Sequence, residues 1–423
     1  MKRKAIKTRI VSNFGWTSFG EIVGKGLFFF ITIYLARCLS VENYGLLTYV
    51  QTVITYLWLA AELGINMYGT REVAKRGEFD RELVNTLFTI RISGGSFTVL
   101  AFLFVIFFLK NPSLIKLAFA GGSVYIFMRS LSLDWVLRGV EDFKAVALGN
   151  IIIFLIMGIL TFILVKEPHN VVKAVWIWAF SYLSGSFCYF LILNRKFNFI
   201  FQPVFNLRKI LSHLKESIHF TLSGAFLSLY QYLPILLLAY TTDKYNLGLF
   251  SASYRLIFMI IFGFSLLSMS IYPIYSDTFY NQHEKFKKLH NLFLTIALIG
   301  GVSMVFIGIF FSKDIIKIIY GPKYSKSTNL FKILLIFAAV VLVRRVYGTA
   351  ISAAGLQRYQ VITSCLALCI EILTFLGLFK LINLPSTTSA SLSLLLAEIG
   401  SLPFIILFWK LKKGAITRYV QPI

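Results

Sequence analysis

Apolar segments of about twenty residues, the length that spans a bilayer as a helix, recur from Phe14 to Trp409. A globular domain cannot cover so many of these segments with polar surface. Of the 423 residues, 57% are hydrophobic and only 14% are charged, and the mean hydropathy is +0.77. The sequence therefore predicts an all-α, polytopic, multi-pass protein of the cell membrane and excludes a soluble globular domain.

Turn residues and charges divide the apolar segments into twelve predicted transmembrane helices. The predicted spans are residues 13–36, 45–69, 85–109, 114–137, 145–165, 172–194, 216–240, 247–273, 290–311, 329–353, 358–380 and 387–410. Short joints separate them. The longest joint, from Arg195 to Lys215, is basic and contains Pro203.

A weak internal repeat relates the two halves of the chain. Leu35-Ala36 and Asn43-Tyr44-Gly45-Leu46 recur, in the same order, as Leu238-Ala239 and Asn246-Leu247-Gly248-Leu249. Six spans per half is an even number, so both halves enter the membrane in the same direction. We therefore expect two pseudo-symmetric six-helix lobes around a central cavity. The predicted divisions are an N-terminal lobe (1–196), a basic cytoplasmic linker (197–214) and a C-terminal lobe (215–423).

The net charge of +24 comes from Lys and Arg that mostly lie between the spans. One set of alternate joints has twice as many as the other, so the positive-inside rule predicts that both termini are cytoplasmic. One outer joint, from Lys313 to Lys332, breaks this pattern. Because the positive residues do not form one continuous patch, we expect no nucleic-acid partner.

Eleven of the ionisable residues within the predicted spans are candidates for a functional role, because a charge inside a span costs at least ~2.5 kcal/mol and by default faces a cavity or a partner. The cations, predicted to bind an anionic head group or sugar, are Arg129, Arg255, Arg345, Arg344, Lys25 and Arg91. The carboxylates, which could bind a coupling ion, are Glu21, Glu62, Asp134, Glu371 and Glu398. We expect the deeper Arg129, Arg255 and Arg345 to line the cavity.

Structural roles compete with these functional ones. Glu21 with Lys25, and Asp134 with Arg138, are spaced i,i+4 and could neutralise each other. For Arg91, near the cytoplasmic end of its span, we favour a side chain that extends to the interface.

Three further interpretations concern two acids, the shape of one helix and the aromatic residues. Glu371 and Glu398 could be protonated partners in hydrogen bonds between helices. Pro234, midway along the seventh span, is expected to bend that helix. We interpret most aromatic residues as lipid-facing.

The chain carries no enzyme motif: it has neither a phosphate-binding glycine loop nor a zinc-protease HExxH pattern. The few Cys and His are not arranged as a metal site. We therefore expect a protein that is not an enzyme and that needs no cofactor and no metal.

Several short motifs occur in an order that resembles one transporter family. They are Asn13-Phe14-Gly15-Trp16, Leu35-Ala36-Arg37 followed by Tyr44-Gly45, Glu62-Leu63-Gly64 followed by Thr70-Arg71-Glu72, Trp135 to Gly139 followed by Glu141, and Tyr320-Gly321-Pro322-Lys323-Tyr324. With twelve spans, the chain resembles the polysaccharide repeat-unit flippases (Wzx type) of the multidrug/oligosaccharidyl-lipid/polysaccharide exporter superfamily.

This resemblance implies a flippase that moves an undecaprenyl-diphosphate-linked oligosaccharide to the outer leaflet by alternating access, for O-antigen, lipopolysaccharide or capsule biosynthesis. It also implies membrane lipids, a polysaccharide polymerase and a chain-length regulator as partners. Two alternatives stay open: a cation-coupled multidrug exporter of the same fold, and a non-transporting component of the polymer assembly complex.

Overall fold

The structure is a computed structural model. It describes the backbone of residues 2–77, 79–108, 110 and 112–419, and the side chains of residues 13, 15–77, 79–108, 110, 112–220 and 229–411. Within these ranges the regular structure is helical, and they contain no strand. The basic residues before Asn13 and after Leu411 contribute to the predicted orientation, but their side chains lie outside the described ranges, as does that of Phe14.

The chain divides into two compact units, Met1–Ser228 (unit 1) and Leu229–Ile423 (unit 2). The lobe limits inferred from the repeat stay a prediction, because the two units reflect contacts and not the repeat. The helices that begin in unit 1 are α1 (Lys2–Cys38), α2 (Val41–Ala61), α3 (Ile65–Arg76), α4 (Arg81–Phe108), α5 (Ser113–Ser130), α6 (Asp134–Gly139), α7 (Phe143–Leu164), α8 (Val171–Phe197) and α9 (Leu207–Thr241).

Helix α9 begins in unit 1 and ends in unit 2. The other helices of unit 2 are α10 (Lys244–Asn281), α11 (His283–Phe310), α12 (Ser312–Tyr320), α13 (Thr328–Ala353), α14 (Gln357–Leu376) and α15 (Ser386–Tyr419). A 3-10 helix (Pro322–Ser327) follows α12, and one π-helical turn (Gly377–Leu381) extends α14. The outer joint predicted from Lys313 to Lys332 is therefore largely helical.

Nine helices in the described part of the chain are long and apolar enough to cross a bilayer, or ten if the bent pair α2 and α3 forms one span. The expectation of a polytopic all-α membrane protein is confirmed, but the count of twelve is not. Helix α13 is absent from this set and carries Lys332, Arg344 and Arg345. Of α9, only Leu229–Thr241 qualifies, as a shorter apolar helix.

Two of the predicted spans are broken helices. The second consists of α2 and α3, which meet at 43°. At this break Leu63 and Gly64 have positive φ angles of 53° and 71°, a conformation that ends a helix and suits glycine. The fourth consists of α5 and α6, with three residues, 131–133, between them. Because each break leaves helix ends inside an apolar protein, both need polar side chains nearby.

The chain between α8 and α9 lies against α4. The side chains of Asn85 and Thr89, which are buried, accept hydrogen bonds from the backbone N–H groups of Gln202 and Val204, both at 3.1 Å. The Phe201 ring packs edge-on against Phe88, with centroids 4.8 Å apart. The segment predicted as a linker (197–214) is therefore held against unit 1 by these contacts.

Candidate functional site

The two helix breaks of unit 1 bring buried charges together. Arg129 lies in the last turn of α5, and Asp134 is the first residue of α6. Both charges have the sign that their helix end favours, positive near a C-terminus and negative at an N-terminus. Arg91, from α4, donates a hydrogen bond to the Arg129 carbonyl at 3.3 Å, and its Nη2 lies 3.9 Å from Asp134 Oδ1.

Aromatic rings surround the two guanidinium groups. The Cζ atoms of Arg91 and Arg129 lie 5.2 and 5.4 Å from the centroid of the same ring, Trp58 on α2. Arg129 also lies 5.0 Å from the ring of Tyr182 and 5.9 Å from that of Tyr125. Cation–π attraction contributes up to about 2 kcal/mol when the pair is removed from water. We call Trp58, Arg91, Tyr125, Arg129 and Tyr182 the arginine cage.

Asp134 is the acidic neighbour of the arginine cage. Its Oδ1 accepts a hydrogen bond from the Ser132 hydroxyl at 2.7 Å, and its Oδ2 lies 3.5 Å from Arg138 Nε. The i,i+4 pairing of Asp134 with Arg138 is therefore present. The interpretation of Arg91 as a side chain that extends to the interface is wrong, because this residue is 1% exposed and contacts Arg129 and Asp134.

The arginine cage has more hydrogen-bond donors than acceptors. In the described part of the chain, Nε and Nη1 of Arg91 and Nε of Arg129 are buried and lack a hydrogen-bond partner. Buried polar atoms are normally paired, so unpaired ones call for a ligand, an ordered water or a change of conformation. Arg91, Arg129 and Arg138 also outnumber the carboxylates that act on them electrostatically, Asp134 and Glu62. The chemistry of the cage therefore suits an anion.

A second buried group lies in unit 2 and joins four helices, α9, α13, α14 and α15. Glu398 of α15 is 2% exposed, and its Oε1 accepts a hydrogen bond from the Tyr230 hydroxyl of α9 at 2.5 Å. The same oxygen accepts one from Arg344 Nη1 of α13 at 2.9 Å. Arg344 also donates to the Ser364 hydroxyl on α14 at 3.4 Å. We call Tyr230, Arg344, Ser364 and Glu398 the Glu398 cluster.

Glu371 and Glu398 differ in their surroundings. Of the two acids expected to form hydrogen bonds between helices as protonated groups, Glu398 forms such bonds within the described residues, and the protonation of both stays a prediction. Glu371, on α14, is 0% exposed, and neither of its carboxyl oxygens has a hydrogen-bond partner within the described residues. Glu398 is nevertheless close enough to act on it electrostatically.

The other predicted site residues are not members of these two groups, although Glu398 and Arg344 act electrostatically on Arg345. The exposed Lys25 and the half-buried Glu21 form an i,i+4 ion pair on α1 at 2.7 Å, as their spacing suggested. Arg255 of α10 and Arg345 of α13 are half-buried in unit 2, whereas Arg129 lies in unit 1. Pro234 lies inside α9, and the bend expected there stays a prediction.

Sequence reasoning missed the aromatic members of both groups. Trp58 precedes Glu62 by four residues, and Tyr125 precedes Arg129 by four, so each pair shares one helix face. This spacing was a usable signal. Tyr182 and Tyr230 lie on other helices than the charges they contact, so no local pattern indicates them. Many other large apolar side chains are exposed, as expected for lipid-facing residues.

Relatives with similar sequences cover different shares of the chain. A Shigella dysenteriae protein named as an O-antigen transporter is 30% identical over 235 residues, which is 54% of this chain and 58% of the relative. The match therefore spans little more than half of that relative's length. An Escherichia coli K12 protein of the same name is 22% identical over 383 residues, 89% of this chain and 90% of that protein.

Solved structures agree on the fold. The inward-facing structure of a multidrug resistance transporter of the MATE family, in the MOP superfamily, matches with a TM-score of 0.71 at 13% identity. The match covers 94% of this chain and 96% of that one. At this identity the likeness concerns the fold alone. The model of a family described as polysaccharide biosynthesis protein matches residues 10–279, well over half of the chain. This chain therefore belongs to the polysaccharide biosynthesis protein family.

Proposed function

We propose that this protein is a flippase for a lipid-linked oligosaccharide, which it moves across the cytoplasmic membrane for surface polysaccharide biosynthesis. The finer proposal is an undecaprenyl-diphosphate-linked repeat unit that passes from the cytoplasmic to the outer leaflet. Family membership and the two relatives named as O-antigen transporters support the class of substrate. The protein has many helices that are apolar enough to cross a membrane, which is where a substrate with a lipid tail lies.

The arginine cage is the observation that carries this proposal. A diphosphate presents several anionic oxygens, and guanidinium groups bind such oxygens through two parallel hydrogen bonds. Arg91 and Arg129 have buried N–H donors that lack a partner within the described residues. Trp58 lies beside both groups, which limits their motion. Because the donors are buried in this conformation, the head group reaches them in another conformation of the transport cycle.

The charge balance argues against a drug exporter for lipophilic cations, which would need an acidic cavity. The cations of the arginine cage and its neighbour Arg138 exceed the nearby carboxylates, Asp134 and Glu62. A cation placed here would be repelled. The non-transporting alternative predicts that the cage can be neutralised without loss of polymer.

The experiment is complementation of a strain that lacks this gene and has lost its surface polymer. Arg129→Gln removes the charge and keeps a polar side chain of similar shape. A lost charge-assisted hydrogen bond costs about 1.5–3 kcal/mol, so we expect polymer transfer to fall at least about tenfold. Arg358→Gln is the matched control, because Arg358 lies 4.9 Å from the ring of Tyr359 but is exposed.

Protein level in the membrane is measured for every variant. Full polymer in Arg129→Gln, in Arg91→Gln and in the double variant would remove the anion-binding role of the cage and favour a non-transporting component. Raised drug resistance on overexpression, without an effect on polymer, would favour the exporter.

Orientation and protein partners are further parts of the proposal. We place both termini in the cytoplasm because Lys and Arg are more frequent in the joints on that side. Reporter fusions at the two ends test this, and an active periplasmic reporter at either end would contradict it. A polysaccharide polymerase and a chain-length regulator are the proposed partners, to be sought by crosslinking in intact membranes.

A further inference from the structure

Glu371 is a buried acid without a counter-ion or hydrogen-bond partner in the described part of the chain. An ionised carboxylate in an apolar interior costs far more than a neutral one, unless it is paired and hydrogen-bonded. Burial without a partner therefore disfavours the ionised form of Glu371.

The groups around Glu371 do not offset this penalty. Helix α14 packs mainly against α15 and also against α13. On α15 the nearest acid is Glu398, whose negative charge opposes a second one. The other titratable groups on the surrounding elements include Lys332, Arg344, Arg345 and Tyr347 of α13, Tyr230 of α9, the exposed Lys380 of the π-helical turn and the exposed Lys410 of α15.

The nearby donors are engaged by Glu398. Arg344 donates to Glu398 at 2.9 Å, and the Tyr230 hydroxyl donates to the same oxygen at 2.5 Å. Glu398 thus has a cation and a hydroxyl, whereas Glu371 has neither. A negative charge is therefore stabilised by hydrogen bonds and a cation at Glu398 and by no described group at Glu371.

We propose that Glu371 is a proton-binding site of unit 2, protonated in this conformation and able to release its proton only when helix movement gives it water or a cation. The ligand is a single proton on one carboxyl oxygen. Its acceptor on release is water that enters between α14 and α15.

Resting on the proposed function, this site links proton binding to substrate binding. With Glu371 neutral, Arg344 and Arg345 face one negative charge, that of Glu398, and the group is net positive. With Glu371 ionised, the charges cancel. An anionic head group near these residues is therefore bound more tightly when the proton is present, and by reciprocity it raises the proton affinity of Glu371.

Infrared spectroscopy of the full-length protein in liposomes tests proton binding without reference to transport. A protonated carboxyl has a C=O stretching band that an ionised one lacks and that shifts in D2O. At neutral pH we expect this band in the wild type and its loss in Glu371→Gln. Glu21→Gln is the matched control, because Glu21 is paired with the exposed Lys25.

The two proposals fail separately. Absence of the band from the wild type at neutral pH, or its persistence in Glu371→Gln, would overturn the proton site and leave the flippase proposal unaffected. Failure of the wild-type gene to restore polymer would overturn the flippase proposal and leave the infrared result standing.

The linkage between proton binding and substrate binding is tested by the pH dependence of polymer transfer. Transfer by the wild type is expected to fall at high external and internal pH, and Glu371→Gln is expected to remove this dependence. An equal pH dependence in both proteins would refute the linkage.

Discussion

The substitution Asp134→Asn tests whether the arginine cage depends on its one nearby aspartate. The amide keeps the size of the carboxylate and can still accept the Ser132 hydrogen bond, which measures 2.7 Å. It removes the negative charge that lies 3.9 Å from Arg91 and 3.5 Å from Arg138. Arg91, at 1% exposure, would then be a buried cation next to Arg129.

The expected loss follows from this burial. Breaking a buried ion pair by removing one partner costs about 3–5 kcal/mol, because the other charge stays desolvated. The 3.9 Å separation and the Trp58 ring, which still faces Arg91, place the expectation at the low end, about 3 kcal/mol. For a unit of this size such a loss lowers Tm by roughly 6–12 °C.

Thermal unfolding of the purified protein in detergent, followed by tryptophan fluorescence, measures this shift. Asp142→Asn is the matched control. Asp142 is also an aspartate at a helix start: it caps α7 through the N–H of Ala145 and pairs with the exposed Lys196. Asn caps a helix as well as Asp does, and an exposed ion pair contributes at most about 1 kcal/mol, so we expect a shift of no more than about 4 °C.

A double-mutant cycle identifies the cause. If the cost of Asp134→Asn comes from an unpaired Arg91, then adding Arg91→Gln removes that charge, and the double variant is more stable than the sum of the single losses predicts. Strict additivity, or a Tm for Asp134→Asn equal to that of the control, would refute the reasoning.

Two further outcomes are expected. Gly149→Ala places a methyl group 2.0 Å from the buried ring of Tyr189, so we expect a loss of about 1–3 kcal/mol and less protein in the membrane; Gly263→Ala, whose new methyl meets no described atom within 4 Å, is the control. Burial lowers the pKa of His213 below its usual 6.5, and its Nδ1 lies 2.8 Å from the Tyr68 hydroxyl. The stabilising contribution of the neutral His213 side chain is therefore complete above about pH 6.5 and is lost as the pH falls through the lowered pKa. We expect Tm to drop more between about pH 7.5 and 5.5 in the wild type than in His213→Gln. An equal drop in both proteins would contradict this assignment.

Hydropathy was sufficient to predict the class of fold, because a bilayer-spanning helix satisfies its own backbone and needs only a long apolar segment. The count of twelve spans, in contrast, is not confirmed, because it depends on local features. The bend between α2 and α3 depends on Leu63 and Gly64, a local feature that a window of twenty residues averages out. Helix α13, which lies within unit 2 and contains the adjacent arginines Arg344 and Arg345, is not among the helices counted as membrane-crossing in the described part of the chain.

The sequence by itself determined that this is a polytopic helical membrane protein. It also indicated the charged residues within the spans, because a charged residue type stands out in an apolar segment before its partners are known. Only the tertiary structure decided their partners. Arg91 meets Trp58, and Glu398 meets Tyr230 and Arg344, across separations of 33, 168 and 54 residues. Helical periodicity relates residues a few positions apart, so it could pair Glu21 with Lys25 but could not show that Glu371 lacks a partner in the described part of the chain.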